Sequence, residues 1–264
     1  MRQRTDVIFV YDGTFEGFLC CVYEFYYSSF RPVEIVTEED IQASFYQLVT
    51  IVSDPYKAQK VKNAIEEKIS AYTVRFLQEC LLTCGQETEM HMLGYIIKGF
   101  KYGVKVYNMV SDSDVDYLRK AHRHLKREKH LYLGIIRFYK ANEVYIAVIK
   151  PKNMILPIIA YHFTQRFANQ DFMIYDATNG YALIYRRGRA EIIRAENIEL
   201  PEIDDEELNM QKLWKLFYDT IAIEERYNPK CRMSFMPKRT WDLLPEMQEY
   251  DNVNTKNKKE AIVR

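Results

Sequence analysis

An α+β protein is predicted, and three observations predict it. Apolar residues recur at three- and four-residue spacing through most of the first 130 positions, the mark of amphipathic helices. After residue 131 the pattern becomes short β-branched and aromatic runs separated by Asn- and Gly-containing turns, in the order ββαβββ. A last helical pattern then leads into Glu225 to Met247, where Pro229, Pro237 and Pro245 each lack an N–H and fix their own φ, so no regular helix spans it. The expected plan is a mostly helical N-terminal region with a short sheet (1–130) and an antiparallel sheet with one helix (131–200). A C-terminal helix and wrapping segment (201–250) and a polar tail (251–264) complete it.

In chain order, DVIFVYD (6–12) reads as a strand. The following helix has Phe15, Phe18, Leu19, Val22 and Phe25 on one face, with Asp12 or Thr14 as its N-cap. Val33 to Val36 and Phe45 to Val52 have strand composition and are expected to join the first strand. Asp54 before Pro55 opens a long helix to about Cys84, striped by Val61, Ala64, Ile65, Ile69, Tyr72 and Phe76. Further helices are expected near 87–103 and 112–130, separated by the connector KVYNMVS.

LYLGIIRFYK and EVYIAVIKP then read as two strands joined around Ala141-Asn142, and ILPIIAYHFTQRF as a helix entered near Pro157. DFMIYDAT and YALIYRRG read as a hairpin whose Asn179-Gly180 turn has type I′ composition, and RAEIIRA as a fifth strand. Short connections favour antiparallel pairing with the helix across one face. Behind the acidic run EIDDEE, residues Leu208, Leu213, Leu216, Phe217 and Ile221 mark one more amphipathic helix. In the wrapping segment, Phe235, Met236, Trp241, Leu243 and Leu244 supply something to bury.

The chain carries 37 Lys and Arg against 37 Asp and Glu, but the charges are segregated. Residues 1–118 sum to −6, 119–195 to +10 (15 basic, 5 acidic), 196–225 to −8 and 226–264 to +4. The basic middle either meets a polyanion or is neutralised by the acidic segment beside it. With no membrane-length apolar run and no signal-peptide pattern, a cytoplasmic protein is expected. Cys20, Cys21, Cys80, Cys84 and Cys231 do not form a disulfide framework, and the five histidines lack metal-ligand spacing. No cofactor is called for.

Several strings taken together resemble the family known as domain of unknown function 4130: YDGTFEGFL, EKHLYLGIIRF, AYHFTQRF and IAIEERYNPKCRMSFMPKRTWDLLPEM. They occur in order across most of the chain. Two departures stand out: His130 is followed by Leu131 where the pattern has His-Arg, and Thr240 precedes Trp241 where it has an aromatic. The resemblance implies a part in DNA metabolism or repair, beside uracil-DNA-glycosylase-like domains or a radical-SAM protein. This chain has neither a glycosylase domain nor a three-cysteine radical-SAM motif, so it would act as a separate subunit.

The residues themselves offer a nucleic-acid-binding set. His162 and Arg166 share a helix face, and Arg137 sits between the expected inward residues Ile136 and Phe138, so it would join Arg166 in a phosphate clamp. The structural alternatives are a backbone hydrogen bond for His162 and an ion pair with Asp176 or Glu143 for Arg137. Arg186 and Arg187 flank a hairpin turn in the basic segment. Lys238, Arg239 and Trp241 fit recognition of a single strand or flipped base, with Trp241 as a core anchor the alternative. Three function classes follow: a DNA-binding accessory factor, an enzyme acting on a nucleotide, and a protein-interaction scaffold.

Overall fold

In the computed structural model, residues 4–196 and 198–248 are described. The polar tail expected over 251–264 lies outside them. The chain divides after Arg127 into two compact units.

The N-terminal unit is built on a parallel sheet in the order β2-β1-β3, with β1 (Thr5–Tyr11) between β2 (Phe30–Thr37) and β3 (Gln47–Thr50). Helix α1 (Phe15–Tyr27) crosses from β1 to β2, and Thr14 caps it by accepting from Gly17 N at 2.9 Å. A Cβ at Gly17 would lie 2.2 Å from Asp12 Oδ1, so any larger residue there would displace the Asp12 side chain. Phe18, Leu19 and Val22 are buried as the spacing predicts, while Phe15 and Phe25 are only partly covered. Burying each such Leu or Phe contributes about 1.5–3 kcal/mol.

The single helix expected over 54–84 is two, α2 (Pro55–Lys68) and α3 (Ala71–Cys80). Ser70 makes the break: its backbone is extended and its Oγ accepts from Thr73 N at 3.2 Å, so it caps a new helix instead of continuing the old one. Val61, Ile65, Ile69 and Phe76 of the expected stripe face one core, but Ala64 is only partly covered and Tyr72 is exposed. α4 (Thr88–Tyr102) and α5 (Ser113–Ile135) follow, with a 3-10 turn at Gly103–Asn108.

α5 ends five residues beyond the expected 130, which corrects the strand expected at LYLGIIRFYK. Glu128, Tyr132 and Ile135 are buried at helical spacing, so a short apolar run that suits either period is taken by the helix. Only β4 (Tyr139–Ala141) remains of that strand, and Arg137 lies in the connection between α5 and β4, not on a strand.

The C-terminal unit's sheet has five strands in sequence order: β4, β5 (Val144–Ile149), β6 (Phe172–Asp176), β7 (Tyr181–Arg186) and β8 (Arg189–Arg194). It is mixed, not antiparallel, because β5 and β6 run parallel. Between them α6 (Leu156–Arg166) carries the chain back, as a parallel pair requires. Ile159 and Phe163 of α6 are buried, and Phe163 and Phe167 join an aromatic cluster with Phe138 and Phe172.

The turn chemistry is also redistributed. Asp176 accepts from Thr178 N, Asn179 N and Asn179 Nδ2 (3.0, 3.1 and 2.6 Å), which organises a four-residue turn in which Gly180 alone has positive φ. The two-residue turn with both central φ positive is Arg187-Gly188, at 51° and 80°.

α7 (Asp205–Ile221) begins at Asp204, whose Oδ1 accepts from Glu207 N at 2.8 Å. The wrapping segment is a strap of short pieces: α8 (Pro229–Phe235), then 3-10 turns at Lys238–Leu243 and Pro245–Met247. It buries Thr240, Leu244 and Glu246, but Phe235, expected inside, is exposed. No described helix is long and apolar enough to cross a membrane.

Candidate functional site

Two ion pairs of opposite polarity clasp the strap to the C-terminal unit. Glu128, 5% exposed, accepts from Lys152 N and Asn153 N at 2.9 Å each, from Asn153 Nδ2 at 2.5 Å and from Arg239 Nη2 at 2.5 Å. Glu246, 1% exposed, accepts from Arg137 Nη2 at 2.6 Å and from Trp214 Nε1 at 3.0 Å. Lys215 Nζ adds a bond to the Glu246 carbonyl at 3.1 Å, so α7 and the strap are tied at the same place.

The second clasp positions a groove of about 580 Å³. Phe138, Tyr145, Met210, Trp214 and Pro245 form its apolar lining, and the Arg137 guanidinium lies 5.8 Å from the Trp214 ring. Arg137, Lys140, Asp204, Glu206, Glu207 and Gln211 supply its polar lining. Glu207 joins α7 to β4, accepting from Lys140 N at 3.0 Å and from Gln211 Nε2 at 3.1 Å. The Phe138 and Tyr145 rings are held from behind by Phe167, at 4.8 and 6.2 Å. Flat rings beside a cation and carboxylates make a cleft that suits a planar, hydrogen-bonding ring such as a nucleobase.

Of the predicted residues, only Arg137 lines this groove, and its partner is Glu246 instead of Asp176 or Glu143. His162 and Arg166 are exposed together on α6, outside the groove lining. Arg186 faces Asp171 at 3.6 Å, and the backbone N of Arg187 bonds the same carboxylate. Arg239 is engaged by Glu128. Trp241 donates to Met236 O at 2.7 Å and carries Arg232 5.0 Å and Lys238 6.0 Å from its ring, contacts that all lie within the strap. Lys150 pairs with Asp242. The acidic run meets the basic segment through Glu207, at a backbone N–H of Lys140.

Sequence reasoning missed Trp214, Glu246, Glu128 and Glu207. Trp214 was legible as a ring within an amphipathic helix. The glutamates were not, because a buried carboxylate reads as a solvated one until its partner is placed.

Two of the buried acids of this unit, Glu128 and Asp176, titrate in opposite directions. Burial pushes Glu128 up, but the Lys152, Asn153 and Arg239 donors outweigh it and hold the carboxyl below the ordinary 4.5. Burial also pushes Asp176 up, and here it prevails over the Asn179 and Thr178 hydrogen bonds, leaving it above 3.8. A depressed Glu128 binds fewer protons folded than unfolded, so its contribution is fully present above about 4.5 and is lost as pH falls through the lower folded value. Asp176 acts with the opposite sign, stabilising less as pH rises from 3.8 through its raised value. Urea midpoints measured between pH 6 and pH 3 are expected to fall on the acid side, and Glu128→Gln is expected to flatten that fall.

A family model described as a domain of unknown function, DUF4130, matches residues 86–246. No protein of curated function matches the chain. Among solved structures, the pGpG-specific phosphodiesterase PggH from Vibrio cholerae aligns at 9% identity over 67% of this chain and 81% of its own, with a TM-score of 0.32. A likeness that weak carries no argument about activity. The family match covers more than half of the chain, including both clasps and the groove, and the chain therefore belongs to the DUF4130 family.

Proposed function

We propose that this protein is a DNA-binding accessory factor in base repair or modification, working in the cytoplasm with a radical-SAM enzyme or a uracil-DNA-glycosylase-like protein. The observation that carries the reading is the groove: the Trp214, Phe138 and Tyr145 rings line it, with the Arg137 guanidinium over the tryptophan ring. Successive bases stack on such platforms without sequence preference. The +10 segment supports it as a source of phosphate contacts, with Arg166, Arg187 and Arg189 exposed. The partner assignments rest on the resemblance of the sequence motifs to the family.

A scaffold role has one observation in its favour. Leu213, Leu216, Phe217 and Ile221 on α7 are each more than half exposed, an apolar face of the kind protein partners cover. An accessory factor needs such a face as well as a DNA surface.

Fluorescence anisotropy with single- and double-stranded oligonucleotides, with and without uracil, across a salt series tests the proposal. Affinity is expected to fall steeply with salt. Trp214→Ala is expected to weaken single-strand binding by about 1–3 kcal/mol, the worth of one stacked base, with Trp214→Phe recovering part of it. Absence of binding at low salt removes the DNA reading and leaves the scaffold.

A further inference from the structure

The N-terminal unit has a concave feature of its own, a cleft of about 250 Å³. One wall is α5, which presents Arg119, His122, Arg123 and Lys126; the other is Phe76 of α3 with Tyr107. The four α5 residues stand at i, i+3, i+4 and i+7, so they share one face of the helix. Like charges at that spacing destabilise an isolated helix by a few tenths of a kcal/mol per pair, about 0.2–0.5. A cluster of this kind is relieved by an anion.

The surroundings fix three of these side chains, Arg119, His122 and Lys126. Arg119 donates to Tyr107 O at 3.0 Å and lies 4.9 Å from the Tyr107 ring. His122 packs edge-on against Phe76 at 5.1 Å. Glu79 accepts from His122 Nε2 at 2.5 Å and from Lys126 Nζ at 2.7 Å. Burial raises the Glu79 pKa, but those two donors bring it below its ordinary value, so the carboxylate is ionised. One carboxylate against Arg119, Arg123 and Lys126 leaves the cleft with two net positive charges before His122 is counted. Arg123 is exposed and has no partner among the described residues.

We propose that this cleft is a phosphate-binding site, seating the phosphate group of a nucleotide or of a nucleic-acid strand between Arg119, Arg123 and Lys126. The size argues for the group and not the whole ligand, since pockets that enclose drug-sized molecules run to about 300–1,000 Å³. The planar arginine fork matches a phosphate's oxygens, and the Tyr107 and Phe76 rings limit water on the opposite wall. The site is independent of the groove in the other unit.

The experiment compares the full chain with Arg123→Glu, Lys126→Gln and Trp214→Ala, using inorganic phosphate, adenosine 5′-monophosphate and an eight-residue oligothymidylate. Ionic strength is held constant with sodium chloride. Phosphate is expected to raise the thermal midpoint of wild type and of Trp214→Ala but not of Arg123→Glu. Loss of one charged contact is expected to weaken ligand binding about tenfold. Weakened oligonucleotide binding in Arg123→Glu with unchanged nucleotide binding identifies a strand as the source, and the reverse identifies a free nucleotide. A phosphate response in Arg123→Glu and Lys126→Gln equal to wild type, or no response beyond that of chloride, overturns the proposal. The Trp214→Ala arm keeps failure of the groove reading separate, because that variant leaves the cleft intact.

Discussion

Replacing Glu128 by alanine is expected to destabilise the C-terminal unit by about 3–5 kcal/mol, the usual cost of breaking a buried ion pair from one side. The size follows from what loses its acceptor: two backbone N–H groups, the Asn153 amide and the Arg239 guanidinium, all directed at one carboxylate. Asn153 is itself buried, so its groups do not recover a bond from water without local opening. Arg239→Ala is expected to cost less, because Glu128 keeps three neutral donors, and to move the acid limb of stability to higher pH as the carboxyl loses its cation. Arg239→Lys is expected to restore most of the loss, since a single nitrogen makes the contact. Urea denaturation, with midpoint and slope read separately, measures all three; equal midpoints for Glu128→Ala and wild type would show that the strap is not held there.

The second large effect is expected at Glu246. Its removal leaves Arg137 Nη2 and the Trp214 indole N–H without their acceptor, at a position where the carboxylate had 1% exposure, while Arg137 Nη1 keeps Gly134 O at 3.1 Å. Glu246→Ala is expected to cost about 3 kcal/mol or more and to release the end of the strap, with cleavage by a dilute protease moving to residues 238–248. Trp214 fluorescence is expected to shift to longer wavelength as the ring gains solvent. The double change Arg137→Met with Glu246→Met is expected to lie much closer to wild type than either single, because replacing both members of a buried pair by apolar groups is often nearly neutral. A double-mutant cycle with no coupling between the two positions would contradict the clasp.

Both effects involve the stretch that the sequence marks most plainly, the proline- and tryptophan-bearing segment after Glu225, through Arg239 and Glu246. By sequence alone its cations fit ligand contacts. The fold uses Arg239 for attachment and places Trp241 under Arg232 and Lys238, while the ring that opens onto a groove is Trp214, one helix earlier. Local chemistry does not separate these outcomes, since an arginine beside a tryptophan serves a base or a buried carboxylate equally well. The mixed sheet has the same origin. Each strand's existence was readable from composition, but whether β5 and β6 run parallel depends on where α6 delivers the chain.

By itself the sequence determined what neighbouring residues decide. That includes a cap at Asp12 or Thr14, which the fold gives to Thr14, the cap at Asp54, much of the helical striping of the N-terminal unit, the later change to strands, and a strap interrupted by Pro229, Pro237 and Pro245. These depend on φ restriction, side-chain capping and periodicity, all expressed within a turn or two of the chain. Tertiary structure alone decided the end of α5, the pairing of Glu128 with Arg239 across 111 positions and of Arg137 with Glu246 across 109, and the groove that the second pair positions. A buried charge is tolerated only where a distant partner meets it, and no local pattern specifies that meeting.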